Sequence, residues 1–154
     1  MVFSIALRLL GDHGLAEEVA QDCFVELYKS LDRVESADHL RFWLRRVAVH
    51  RATDALRRRA TRPESLAEEW GEQYEFGSAA DRAVALELRM ESVLMSLPEP
   101  TRVVLVLRYQ EEMRPEEIAA VLGQPIATVK SNLQRGLKLL RRKADVMLKE
   151  FIRE

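Results

Sequence analysis

The 154-residue sequence is poor in the residues on which secreted, zinc-binding and membrane proteins depend. Its single cysteine cannot form an internal disulfide, and its three histidines are scattered, so the composition indicates a reducing, cytoplasmic setting without a metal site. The longest apolar runs, such as Val103 to Leu107, are far shorter than the roughly 20 residues of a membrane span, and the first ten residues do not resemble a signal peptide. No Gly-rich phosphate loop ending in Lys and Ser or Thr is present.

The apolar residues that are present recur at helical spacing. Leu15, Val19, Cys23 and Leu27 follow one another at intervals of four residues, which predicts an amphipathic helix packed on other helices. Cys23 lies on this stripe, and we interpret it as an unreactive core residue. The sequence contains no alternating strand pattern and no Asn-Gly hairpin signal. We therefore predict an all-α fold.

The net charge of −1 conceals an uneven distribution. Residues 1–60 carry a net charge of +1, with seven arginines between positions 41 and 59, whereas residues 61–100 carry −6 and residues 101–154 carry +4. Segment 61–80 contains five glutamates, two glycines, two serines and one proline, which is the composition of a linker. We predict two small helical domains, 1–60 and 81–154, joined by a flexible acidic linker over 61–80. The two concentrations of positive charge favour binding to a polyanion.

The sharpest local pattern, residues 115–130, predicts a helix, a tight turn and a second helix. Pro115 suits a first helical turn, and Gly123 suits a left-handed helix end. The second helix would bury Val129, Leu133 and Leu137 at intervals of four residues. Its other side carries side chains suited to base edges and phosphates in a major groove: Lys130, Ser131, Gln134, Arg135 and Lys138. A helical hairpin that binds no DNA is the alternative interpretation.

An earlier arginine-rich stretch interleaves aromatic and cationic side chains. Phe42 and Trp43 stand beside Arg45 and Arg46, and His50 follows one helical turn further on. Aromatic rings stack on unpaired bases, each stack contributing about 1–3 kcal/mol, while arginines hold the backbone. The stretch therefore predicts binding of single-stranded or flipped bases. The alternative for both aromatic residues is that they anchor the hydrophobic core.

Taken together, these segments resemble the extracytoplasmic-function (ECF) group of bacterial RNA polymerase sigma factors, in the sigma-70 superfamily. Residues 16–24 (AEEVAQDCF) resemble the A-E-D-hydrophobic-x-Q-E-x-F segment of region 2 in that family. Residues 42–50 (FWLRRVAVH), with Asp54 and Arg57, resemble its promoter-melting helix, and residues 96–140 resemble its region 4. Three such matches, in the same order along the chain, are specific for this family.

The resemblance assigns three groups of residues to three binding partners. Docking on the β′ clamp helices of core RNA polymerase is implied for Glu18, Gln21, Asp22 and Phe24. Capture of the melted −10 element of promoter DNA is implied for Trp43, Arg45, Arg46, His50 and Arg57. Recognition of the −35 duplex is implied for Thr128, Lys130, Ser131, Asn132, Gln134, Arg135 and Lys138. The resemblance further implies contact with the polymerase β flap and a partner anti-sigma factor.

The mechanism implied by the resemblance divides the promoter between the two domains. The C-terminal domain would bind intact duplex while the N-terminal domain holds an extruded base and stabilises the melted strand. Differential binding and polymerase contacts would supply the energy of opening. We therefore expect a protein that is not an enzyme, takes no cofactor or small-molecule substrate, and does not insert into a membrane.

The sequence departs from the family pattern at several positions. In that family a further helix of region 2 precedes the segment that corresponds to Val2 to Leu10. The resemblance therefore leads us to expect a misassigned start codon, a fragment of a longer chain, or a shortened lobe that docks weakly. His50 stands where many members carry Asn, and Asn132 where they often carry Arg, so the preferred promoter sequence is expected to differ. Arg114 replaces the usual Ser or Thr helix cap, which should cost about 1 kcal/mol unless another group caps the helix.

Two functions of other classes fit part of the same pattern. A dimeric helix-turn-helix repressor or response-regulator output protein would share the stretch from Thr128 to Asn132, but would bind a palindromic duplex without polymerase. A helical adaptor that binds only protein would use its basic helices as solvated surfaces. Its activity would be insensitive to loss of Lys130 and Arg135.

Overall fold

The first half of the chain forms a bundle of three helices. In the computed structural model, the structure describes residues 1–61 and 79–153. Helix α1 spans Val2–Leu10, α2 spans His13–Lys29 and α3 spans Ala37–Ala60, with a 3-10 turn at Leu31–Arg33 between the last two. Each of the three helices contacts the other two. We call this bundle the N-terminal lobe.

Local sequence signals set the ends of these helices. α1 ends at Gly11, which adopts a left-handed φ of 63° that favours glycine. The Asp12 carboxylate then caps α2 by accepting a hydrogen bond of 2.9 Å from the Leu15 amide. The Ser36 hydroxyl caps α3 by accepting a bond of 3.1 Å from the His39 amide. These signals keep the connections between the helices short.

The described part of the C-terminal half is also helical, and we call it the C-terminal lobe. Its helices are α4 (Ala79–Met95), α5 (Glu99–Leu105), α6 (Pro115–Leu122) and α7 (Ile126–Arg153), and a π-helical turn at Val106–Gln110 continues α5. Pro98 immediately precedes α5. Gly136 of α7 allows a close crossing with α5, because a Cβ at this position would lie 2.9 Å from Cδ1 of Leu105.

The all-α prediction is confirmed for residues 1–61 and 79–153, which contain helices and turns but no strand. None of the helices in these two ranges combines the length and apolar character that crossing a membrane requires. The predicted linker, 61–80, falls mainly on residues 62–78, which lie outside the described residues.

The two lobes share one hydrophobic core. α1 contacts α4 and α5, and α3 contacts α6. Ile5 and Leu9 of the N-terminal lobe belong to the same buried cluster as Val104 and Leu107 of the C-terminal lobe. A helical lobe of about 60 residues buries too little apolar surface to be more than marginally stable, so mutual packing stabilises both lobes. The sequence predicts two domains, and their packing together is a feature of the tertiary structure.

Candidate nucleic-acid and polymerase interfaces

The helix-turn-helix predicted over residues 115–130 is present as α6, a turn and α7. α6 begins at Pro115 and ends at Leu122, and Gly123, which follows, has a left-handed φ of 62°. The Glu117 carboxylate accepts a hydrogen bond of 2.7 Å from the Arg114 amide. This bond satisfies one of the free N–H groups at the start of α6, so it offsets part of the cost expected from an arginine at the cap position.

α7 presents a buried stripe and an exposed polar face. Val129 and Leu133 are buried. The exposed side chains on the first turns are those of Thr128, Lys130, Gln134, Arg135 and Lys138, and Ser131 is half-buried. Hydrogen-bonding groups therefore stand at the N-terminal end of α7, with cations on the turns that follow. That order suits a helix entering a major groove, where base edges are met first and phosphates beyond them.

Asn132 lies on the buried stripe of α7, with 9% of its surface exposed. It is three residues after Val129 and four residues before Gly136, and both of these positions are buried. Helical periodicity therefore turns Asn132 towards the helix-packing side of α7. A side chain in that position is poorly placed to reach base edges.

α3 carries the residues expected to hold melted DNA. Arg46 and His50 are exposed on its surface. Trp43 and Phe42 are half-buried and pack against the hydrophobic core. Part of each ring therefore anchors the hydrophobic core, as the alternative interpretation of these two residues expects.

Arg45 and Arg57 of α3 are paired with glutamates of the C-terminal lobe. Nε of Arg45 lies 3.1 Å from Oε2 of Glu111, and the two side chains are only 24% and 8% exposed. Nη2 of Arg57 lies 3.5 Å from Oε1 of Glu99. Arg45 and Glu111 are 66 positions apart, so no periodicity or local motif connects them and sequence reasoning misses the pair.

α2 exposes a strip of acidic, amide and aromatic side chains. Glu18, Gln21, Asp22 and Phe24 are all exposed, as docking on a protein partner requires. Tyr28, which is not among the docking residues that the resemblance implies, follows Phe24 by one turn and is 78% exposed, so it extends the apolar part of the strip. Its spacing of four residues from Phe24 is the signal that could have identified it.

Arg51 joins α3 to the helix that carries this strip. Its Nε donates a hydrogen bond of 3.1 Å to Oε2 of Glu26. Its Nη1 lies 3.9 Å from Oδ2 of Asp22. The bond to Glu26 raises the pKa of the Arg51 guanidinium, which is charged throughout the physiological range. These contacts fix α2 relative to α3.

Cys23 lies in the core of the N-terminal lobe, fully buried. Burial raises the pKa of its thiol to about 11, so the thiol is protonated and a poor nucleophile at neutral pH. Its interpretation as an unreactive core residue agrees with this position. Across residues 1–61 and 79–153, His, Cys, Asp and Glu side chains form no group able to hold a metal ion.

Two protein-family models match the chain, one on each lobe. Residues 1–62 match the model of Sigma-70 region 2. Residues 87–140 match the model of Sigma-70, region 4. The two matches occur in the order that the resemblance implies.

Individual proteins are similar along most of the chain. The ECF RNA polymerase sigma factor SigW of Bacillus subtilis is 30% identical over 152 residues, which cover 92% of this chain and 81% of SigW. The RNA polymerase sigma-H factor of Pseudomonas aeruginosa is 28% identical over 160 residues, covering 97% and 83% of the two chains. The solved structure of the sigma factor RpoE in complex with the anti-sigma factor NepR, from Bartonella quintana, has the same fold, with a TM-score of 0.72, 22% identity and coverage of 94% of this chain and 90% of that one. Given these similarities and the two region matches, the chain belongs to the ECF group of the sigma-70 family of RNA polymerase sigma factors.

Proposed function

We propose that this sigma factor, which directs RNA polymerase to promoters, does so through three surfaces assigned residue by residue. The strip on α2 docks on core polymerase, α7 reads the −35 duplex and α3 holds the melted −10 strand. The observation that carries the proposal is the division of α7 into a buried apolar stripe and an exposed face of polar and basic side chains. Such a face is suited to DNA.

On α7, the −35 contacts are proposed for the exposed and half-exposed side chains. They are Thr128, Lys130, Ser131, Gln134, Arg135 and Lys138. Loss of one bidentate base contact costs about 1–3 kcal/mol, and loss of one phosphate contact lowers the salt dependence of binding.

The test of the −35 assignment is run-off transcription with core polymerase on promoters selected from a genomic library. Lys130→Ala/Arg135→Ala should lower promoter-directed transcription by at least about tenfold. Lys149→Ala/Arg153→Ala removes the same charge from exposed positions at the far end of α7 and should leave transcription unchanged. Equal losses in the two variants would show that only net charge matters, and the assignment would be wrong.

On α3, the −10 contacts are proposed for Trp43, Arg45, Arg46, His50 and Arg57. Arg46 and His50 are exposed and available in this structure, and the half-buried Trp43 would offer the open part of its ring. Permanganate footprinting of the melted region by holoenzyme tests this set. Arg46→Ala/His50→Ala should reduce melting while duplex binding through α7 persists, and unchanged melting would refute the assignment.

Two contacts with core polymerase are proposed, one with the β′ clamp helices and one with the β flap. The residues proposed to contact the clamp helices are Glu18, Gln21, Asp22 and Phe24. Gln21→Ala/Phe24→Ala should weaken binding to core polymerase, measured by fluorescence anisotropy of the labelled sigma factor. Ile152→Ala, an exposed apolar residue on the other lobe, is the control. Binding equal to that of the control would contradict the docking surface.

Sigma factors are generally non-enzymatic initiation factors, and we infer that this chain likewise has no catalytic activity and works with the polymerase in the cytoplasm. An anti-sigma partner is proposed by analogy with RpoE, whose structure was solved with one. A dimeric repressor would instead bind a palindromic duplex without core polymerase. Weak duplex binding alone and specific binding with core polymerase would separate the two functions.

A further inference from the structure

The exposed face of α7 begins with an apolar side chain. Helix α7 starts at Ile126, and the amides of Thr128 and Val129 both donate to the Pro125 carbonyl, at 3.0 and 3.2 Å. These two bonds close the first turn, so the direction of each side chain follows from a rotation of about 100° per residue. Ala127, the second residue of the helix, is exposed.

Helical geometry places Ala127 in the middle of the face that carries the proposed −35 contacts. The fully buried Val129 lies two residues later, about 200° around the axis, so Ala127 points away from the core. Ser131 and Gln134 follow Ala127 by four and seven residues, which is the spacing of side chains on one face of a helix. Ala127 is therefore the first side chain of the row that continues with Ser131 and Gln134.

The surroundings of this methyl group favour duplex DNA as the surface that it meets. Lys130, Arg135 and Lys138 are exposed and make no ion pair with the described part of the chain, so their charge is available to phosphates. Among the groups that base pairs present in the major groove, the C5-methyl of thymine is the one that an alanine methyl contacts favourably. An alanine in this position thus matches a T·A pair.

The neighbouring Ile126 is less well placed for this contact. It is 36% exposed, but it lies about 100° from Ala127, at the side of the face. The small size of Ala127 is a second reason to assign the contact to it. Its side chain ends at Cβ, so α7 can approach the base edges closely enough for Ser131 and Gln134 to bond to them.

We propose that Ala127 is a specificity-determining residue whose methyl group contacts the C5-methyl of a thymine in the −35 duplex and so selects a T·A pair at that position. The proposal deepens the −35 function proposed for α7 and rests on it. The polar side chains of the same face supply hydrogen bonds to other base pairs, and the cations contact phosphates.

The experiment removes the thymine methyl and the alanine methyl separately and together. Duplexes with a randomised −35 segment are selected by the full chain bound to core polymerase. Each thymine of the selected −35 segment, on either strand, is then replaced by deoxyuridine, which pairs in the same way and lacks only the C5-methyl. One replacement should weaken binding of the holoenzyme about fourfold in competition fluorescence anisotropy, as expected for one buried methyl group. We call this loss the methyl effect.

Two variants test whether Ala127 makes the contact. Ala127→Gly removes the methyl group, and Ala127→Ser attaches a hydroxyl to it. In both variants, duplexes with thymine and with deoxyuridine at the sensitive position should bind within about twofold of each other, because the two partners are coupled. Ala83→Ser makes the matched change at an exposed position of α4 and should retain the full methyl effect. Circular dichroism checks helix content, since glycine lowers helix propensity.

Distinct results overturn distinct parts of the reasoning. If no deoxyuridine replacement weakens binding of the wild-type holoenzyme, or if the selected segment contains no thymine, the proposal is refuted. A methyl effect that persists in both Ala127 variants would show that another residue makes the contact, and its loss in Ile126→Ala would identify the neighbour.

Lys130→Ala/Arg135→Ala separates these results from failure of the proposed −35 function. If this variant binds the selected duplexes as tightly as the wild type, α7 does not read the −35 duplex, and the proposed function fails. If it binds them more weakly while the methyl effect is missing from the wild type, the −35 function stands and only the role of Ala127 is wrong.

Discussion

Arg102 gives the sharpest test of what holds the two lobes together. Arg102 belongs to α5 and is buried, with 7% of its surface exposed. Nη1 donates to the Leu9 carbonyl at 2.6 Å, and Nη2 donates to the carbonyls of Met95 and Leu97 at 2.9 Å each. Leu9 and Met95 lie at the ends of α1 and α4, where helix carbonyls lack partners within the helix. One side chain thus caps two helices from different lobes.

The replacement Arg102→Met keeps an unbranched apolar side chain but leaves these three carbonyls without their donor. Each hydrogen bond from a charged donor contributes about 1.5–3 kcal/mol. Burial lowers the pKa of Arg102, opposed in part by Glu99, and this desolvation cost is recovered when the guanidinium is removed. The balance is a loss of about 3–5 kcal/mol in the free energy of unfolding, because each buried carbonyl left without a donor costs about 1–3 kcal/mol.

The assay is urea and thermal unfolding followed by far-UV circular dichroism, with Arg141→Met as the control at an exposed position. At about 2–4 °C per kcal/mol for a chain of this size, Arg102→Met should lower the melting temperature by about 10 °C. The control should change stability by less than about 0.5 kcal/mol. If Arg102→Met and Arg141→Met unfold at the same urea concentration and temperature, the hydrogen bonds from Arg102 to the helix ends make no net contribution to stability. The role of Arg102 at the junction of the two lobes would then be refuted.

Three further changes test other parts of the fold. Gly136→Ala should destabilise the chain by about 1–2 kcal/mol in urea unfolding, because its Cβ would meet Leu105 at 2.9 Å, whereas Gly14→Ala finds only an ordinary contact at 3.5 Å and should not destabilise it. Glu117→Ala removes the carboxylate that caps α6 and should cost about 1 kcal/mol, with no loss refuting the capping role. The raised thiol pKa of Cys23 favours the folded state below pH 9 and loses this effect as pH rises from about 9 to about 11. The stability of the chain relative to Cys23→Ala should therefore fall across that window by up to about 2 kcal/mol, and a constant difference would refute the shift.

The exposure expected from the sequence agrees with the structure where helical periodicity controls it. On α7, the spacing of Val129 and Leu133 predicts which face is buried and leaves Lys130 and Gln134 exposed. The same periodicity places Asn132 on the buried stripe, whereas the family resemblance implies that it contacts DNA. A family resemblance implies which role a residue has, whereas the geometry of the helix determines whether its side chain is buried.

The sequence by itself determined the all-α fold, the helix ends at Gly11 and Gly123, and the helix-turn-helix. These features depend on interactions within a few residues along the chain, so local chemistry specifies them. Only the tertiary structure decided that the two lobes share a core, that Arg102 caps helices of both, and that Glu111 meets Arg45. These contacts join residues that are far apart in sequence. They form because each lobe is only marginally stable alone and buries its remaining apolar surface against the other lobe, which no local sequence pattern predicts.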